Sequence, residues 1–116
     1  MRGYKVMPVE DGELVAGANK RLRFPLQIGA TIRMPGNGVY LTPHRKYALD
    51  YYSSLAPTEA LLTVEFDPDA LIIGDLADRE PEVSVREVTI VDYEILPEEN
   101  PKKTKLLARR IAAGGR

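Results

Sequence analysis

Residues 38–57, GVYLTPHRKYALDYYSSLAP, decide how the chain is read. The stretch opens on a glycine, runs through the apolar, strand-like Val39-Tyr40-Leu41 and turns polar at Thr42-Pro43. Threonine is a good helix N-cap, and proline a good first helical residue because its missing N–H is not needed there. A strand over 39–42 is therefore predicted, followed by a helix from Pro43 to about Leu55 that stops before Pro57. His44, Ala48, Tyr51 and Leu55 follow at spacings of four, three and four, which puts them on one helix face. Four of the six tyrosines fall within these twenty residues. Such a concentration is either a packed helix face or a platform for a flat ligand.

Outward from this stretch the pattern is dominated by strands. Tyr4–Val9 reads as a first strand, made an edge or bent one by Pro8. Asp11-Gly12 signals a turn and Leu14–Ala16 a short return. Residues 17–29 read as loop with a little extended structure, Ala30–Met34 as a short strand and Pro35–Gly38 as a turn. Beyond the helix, Ala60–Asp67 is a strand, Asp67-Pro68-Asp69 a turn and Leu71–Ile73 a short buried piece. Val83–Val85 and Val88–Leu96 are strands separated by Arg86-Glu87, as a hairpin or as one bulged strand. Pro97 closes this body, a linker follows, and Thr104–Ala113 reads as a helix ended by Gly114-Gly115. The expected class is α+β: mostly antiparallel β-sheet with one central helix, plus a C-terminal helix. Residues 1–97 form the domain, and residues 98–116 form a basic linker and tail.

Composition narrows the function classes. A chain of 116 residues is most simply one domain, burying roughly two-thirds of the surface its unfolded form exposes. The absence of cysteine excludes disulfides, thiolate metal sites and a cysteine nucleophile. No apolar run reaches the ~18 residues of a membrane span, and MRGYKVMPVEDGE lacks a signal-peptide apolar region, so a cytoplasmic protein without membrane association is expected. The net charge of −1 hides an asymmetry: residues 1–97 carry 10 basic and 15 acidic side chains, residues 98–116 carry 6 and 2. An acidic body is a poor surface for a nucleic-acid backbone, and the basic tail reads more simply as a solvated helix than as a nucleic-acid contact.

Chemistry-bearing residues are few. The sole histidine, His44, falls in the first turn of the predicted helix, where a surface position is the plain reading and a neutral hydrogen-bonding imidazole the sharper one. Asp67, Asp69, Asp75 and Asp78 lack the spacing and glycine of a calcium loop, so no metal site is expected. No nucleophile elbow surrounds Ser53, Ser54 or Ser84, and neither a Walker loop nor a dinucleotide-binding glycine fingerprint is present. Glu80 and Glu82 stand two apart at a strand start, so in extended geometry they project to one side. Facing a cleft, such a pair can polarise a sugar hydroxyl and stabilise positive charge on a ribose. Facing solvent, it is an acidic strand edge that discourages aggregation.

Taken in order, these pieces resemble the ADP-ribosyltransferase-like superfamily, which includes the catalytic half of poly-ADP-ribose polymerases and small phage or toxin relatives. Gly38-Val39-Tyr40-Leu41 matches its glycine-apolar-Tyr-apolar strand, and Tyr51, eleven residues on, matches the tyrosine that stacks on nicotinamide. Leu61–Phe66 matches the hydrophobic strand that follows, and Glu80-Pro81-Glu82 the late Glu-x-Glu. The resemblance covers about residues 30–96. It departs from the pattern in the first strand, where a His or Arg that holds the ribose is replaced by Lys5, and at Ala48, where a small hydroxyl residue is usual. Residues 10–29 show no counterpart of the family's helix between its first two strands.

The resemblance implies a small protein that binds NAD as substrate and transfers ADP-ribose to a macromolecular acceptor. Glu82, or Glu80, would be the catalytic carboxylate, and Lys5, Tyr40, Thr42 and Tyr51 the NAD-binding set. Stacking of a base on an aromatic ring is worth about 1–3 kcal/mol per contact, so two tyrosines could hold a nicotinamide. The other expectation is an inactive copy of the same fold that serves as a protein-binding or inhibitor module. Its acidic surface would then meet a basic partner.

Overall fold

The N-terminal run RGYKVMPVE, with Tyr4 and the apolar Val6-Met7-Pro8-Val9, forms β1 (Arg2–Glu10), the strand on which the architecture turns. The computed structural model describes residues 1–17, 21–50 and 58–96. Met7 enters the main core from β1 beside Ala60, its partner in β6 (Glu59–Glu65), while Tyr4 and Val6 face the opposite side. At its far end β1 turns at Asp11-Gly12 into β2 (Glu13–Ala16), which pairs with β3 (Leu22–Pro25). That last strand lies in a region read from sequence mainly as loop. Its register with β2 sets Phe24 opposite Leu14 and packs both against the core, a long-range reward that local pattern does not display.

The larger sheet has six antiparallel strands in the order β3-β2-β1-β6-β9-β4, with β4 spanning Thr31–Arg33 and β9 spanning Glu87–Ile95. The smaller sheet has three, in the order β5-β8-β7: β5 (Val39–Leu41), β8 (Val83–Val85) and β7 (Leu71–Ile73). Val39, Leu41, Val83 and Val85 meet Leu62, Val64, Val88 and Ile90 of the larger sheet to form the main core. A second cluster, Ala48, Leu61 and Leu96, seats α1 (Arg45–Asp50) against the Tyr4 and Val6 side. β6 is thus apolar on both faces, which is why EALLTVE reads as a continuous run rather than an alternation.

Three local expectations are corrected. The helix begins at Arg45 rather than at Pro43, because Thr42 cannot serve as its N-cap. An N-cap carbonyl accepts the first helical hydrogen bond. The Thr42 carbonyl already accepts the Tyr4 N–H at 2.7 Å, and the His44 carbonyl takes the Ala48 N–H instead. Thr42 Oγ1 accepts the His44 N–H at 3.3 Å, so it closes the turn that leads from strand to helix. Arg86 is neither a hairpin turn nor a bulge. It is where the chain crosses from the small sheet to the large one, and its guanidinium donates to the carbonyls of Met34 and Gly36. The LII segment is not buried: β7 is an outer strand, with Ile72 and Ile73 40% and 38% exposed. The remainder of the predicted central helix and the whole C-terminal helix lie outside the described residues. The described fold is mostly antiparallel sheet with a single short helix.

Two substitutions test this frame. A Cβ on Gly3 would lie 2.5 Å from Leu41 Cδ1 and 3.3 Å from the Thr42 carbonyl, so Gly3→Ala is expected to cost about 1–3 kcal/mol in urea unfolding. Thr42→Ala removes the buried acceptor of the His44 N–H and is expected to cost about 1 kcal/mol in the same measurement.

Candidate functional site: a strand fork at Lys5, Tyr40 and Glu82

β1 and β5 join at a single point. Tyr4 and Thr42 exchange both backbone hydrogen bonds, at 2.7 and 3.1 Å. In a regular antiparallel pair the next such exchange would link Val6 to Tyr40. The Phe66 N–H reaches the Met1 carbonyl and the Val9 N–H the Thr58 carbonyl, so the odd-numbered residues of β1 turn their peptide groups toward β6 and its continuation. By alternation, Val6 turns its N–H and C=O away from β6, toward β5. The exchange with Tyr40 is replaced: the Tyr40 carbonyl accepts a hydrogen bond from Lys5 Nζ at 2.9 Å. The strands part there, and the lysine ammonium holds the carbonyl that the ladder has released.

A cavity of about 180 Å³ occupies the fork. Among the described residues it is lined by Tyr4, Lys5 and Val6 of β1, by Tyr40, Leu41 and Thr42 at β5, by Ala48 of α1, and by Glu82. Four residues named from sequence, Lys5, Tyr40, Thr42 and Glu82, therefore share one cavity. Glu80 is exposed and does not line it. Tyr51 lies outside the described residues. His44 is exposed and does not line the cavity.

Glu82 is positioned by both of its neighbours in sequence. Pro81 is fully buried before it, and Val83 after it enters the core opposite Leu41. Gly74, at φ 92°, packs so closely that a Cβ would lie 2.5 Å from the Glu82 carbonyl, so the turn leaving β7 clamps the Glu82 backbone. The aspartates of that region serve turns: Asp67 Oδ1 accepts the Asp69 N–H and Asp75 Oδ1 the Ala77 N–H, each at 2.9 Å. No group of three or more potential metal-ligating side chains occurs among the described residues.

Lys5 is the electrostatic centre of the fork. Burial pushes its ammonium below the usual lysine value, and the Glu82 carboxylate pulls it part of the way back. A fixed cation, a carboxylate, tyrosine side chains and the Val6 peptide groups thus border one space. A cavity of about 150 Å³ holds a benzene, so this one accommodates a single substituted ring, and a larger ligand must extend beyond it. Tyr4 and Val6 were not singled out from sequence. Their place depends on β1–β5 register, which no local pattern in GYKVM displays. No family model, curated protein or solved structure matches the chain.

The lowered Lys5 value has a signed consequence. The unfolded chain binds more protons than the native one between the native Lys5 pKa and 10.5, so stability from this group rises with pH through that window. The urea midpoint of the native sequence is expected to gain on that of Lys5→Met as pH approaches 10.5, and parallel curves would show that Lys5 is not desolvated.

Proposed function

We propose that the fork binds NAD as substrate, with the nicotinamide ring in the cavity, and that the protein transfers ADP-ribose to a macromolecular acceptor. The observation that carries this reading is the convergence of Lys5, Tyr40 and Glu82, from three separate strand regions, on one single-ring cavity. The donor set fits the group. A nicotinamide offers a flat face, which Tyr40 and Tyr4 can cover, and a carboxamide with one acceptor and two donors, which suits the N–H and C=O of Val6. The Lys5 ammonium supplies positive charge for ribose hydroxyls or phosphate, as a point charge rather than an arginine fork. NAD supplies the labile nicotinamide–ribose bond. Glu82, at the cavity edge, stabilises the positive charge that develops on the ribose carbon as that bond breaks.

One observation favours a second reading, a binding or inhibitor module on the same frame. The Lys5 ammonium is engaged by the Tyr40 carbonyl within the fold, so less of its hydrogen-bonding capacity faces a ligand. The two readings separate in one pair of measurements. Calorimetric titration with NAD and with nicotinamide is expected to give saturable heat, and silence at millimolar ligand favours the module. In the enzyme, Glu82→Gln is expected to lower ADP-ribosyl transfer or NAD hydrolysis by on the order of 10²–10³-fold while nicotinamide binding stays largely intact. The amide keeps the shape of the carboxylate and loses its charge, so unchanged turnover removes Glu82 as the catalytic residue.

A further inference from the structure

A lysine side chain is ordinarily free to carry its ammonium out to water. Lys5 does not: its Nζ is held inside the fork by the Tyr40 carbonyl at 2.9 Å, on the wall of a cavity that also presents Tyr4 and Tyr40. We propose that Lys5 Nζ is a carbonyl-reactive amine, and that the fork cavity takes small aromatic aldehydes covalently, as an imine on that nitrogen.

The parts needed for this chemistry are in place. The nucleophile is the neutral amine, and burial raises its share at a given pH. Its nitrogen lone pair adds to the aldehyde carbon, and the carbonyl π pair moves to oxygen. One nitrogen proton passes through water to that oxygen and gives the carbinolamine, while the Glu82 charge stabilises the cationic nitrogen. The hydroxyl then leaves as water, taking up the second nitrogen proton by the same route, and the nitrogen lone pair closes the C=N bond. Nothing is oxidised or reduced, and the net change is amine plus aldehyde to imine plus water. The Tyr40 carbonyl fixes the amine beside the ring space, so the reacting atoms are brought together without ordering a long side chain. The 180 Å³ volume sets the ligand class at one ring bearing the aldehyde. This activity does not require NAD to bind.

The test uses the full chain with pyridine-3-carboxaldehyde and cyanoborohydride near neutral pH, which reduces any imine to a stable secondary amine. Peptide mapping by mass spectrometry then gives a rate for each lysine. Lys46, exposed on α1, is the internal reference. Modification at Lys5 is expected to exceed that at Lys46 severalfold, because burial raises the neutral share of the Lys5 amine and the Tyr40 carbonyl holds it beside the ring space. Lys5→Arg is expected to remove the fast modification and leave the Lys46 rate unchanged. Equal rates at the two lysines, or modification of Lys46 with Lys5 untouched, overturns the proposal on the native sequence alone, whether or not the variant folds. Fast Lys5 modification with no calorimetric response to NAD leaves this proposal standing and removes the NAD reading. Saturable NAD binding with an unreactive Lys5 does the reverse.

Discussion

The reciprocal backbone pair between Tyr4 and Thr42 is the joint of this protein. It connects the three-stranded sheet to the long strand of the six-stranded one, and everything on either side follows from its being a single pair. Gly3 makes the approach possible, since a side chain there would meet Leu41 and the Thr42 carbonyl. Thr42 spends both backbone groups on the joint, so the helix must wait until Arg45 to begin. Past the joint the strands diverge, and the released peptide groups of Val6 and Tyr40 border the cavity. The site is thus a consequence of how the sheets meet rather than an addition to the fold.

A fork of this kind leaves polar backbone groups facing a partly closed space, which is unfavourable unless they are satisfied. Lys5 resolves one of them by donating to Tyr40, but does so by bringing an ammonium out of water. Glu82 offsets part of that desolvation through its charge. The arrangement is a compromise between strand pairing and an accessible cavity, and a perturbed cation beside a carboxylate is characteristic of sites where chemistry or recognition is located. The apolar faces of both sheets hold the compromise in place, because Leu41 and Val83 are buried in the core directly beside Tyr40 and Glu82.

Much of this was legible in the sequence, and the reasons for the exceptions are specific. Local apolar pattern and turn residues marked β1, β2, β4, β5, β6, β8 and β9 to within a few residues. The β3 strand was obscured because LRFP carries little local pattern, and its pairing with β2 is a long-range contact. Arg86 looked like a hairpin position because two strands flank it, and only the sheet assignment distinguishes a crossover from a turn. Glu80 and Glu82 project to one side in extended geometry, with Glu82 the preferred carboxylate because Val83-Ser84-Val85 continues from it; the strand begins at Val83, and of the two only Glu82 lines the cavity.

The sequence by itself determined that the chain is rich in antiparallel strand and that a helix follows the 39–42 strand closely. Those are properties of period and of turn chemistry, carried by neighbours in the chain, whereas Lys5, Tyr40, Thr42, Tyr51, Glu80 and Glu82 were named as site residues only by a resemblance. Only the tertiary structure decided that Lys5 and Tyr40, 35 residues apart, share a hydrogen bond, and that Tyr4 and Val6 belong to the same cavity. It likewise brought the Glu82 charge near enough to act on the Lys5 ammonium. The physical reason is register: a shift of one residue between β1 and β5 would reverse which side chains and which peptide groups meet in the fork. Nothing local in either strand encodes that alignment, which is set by how both sheets bury their apolar faces together.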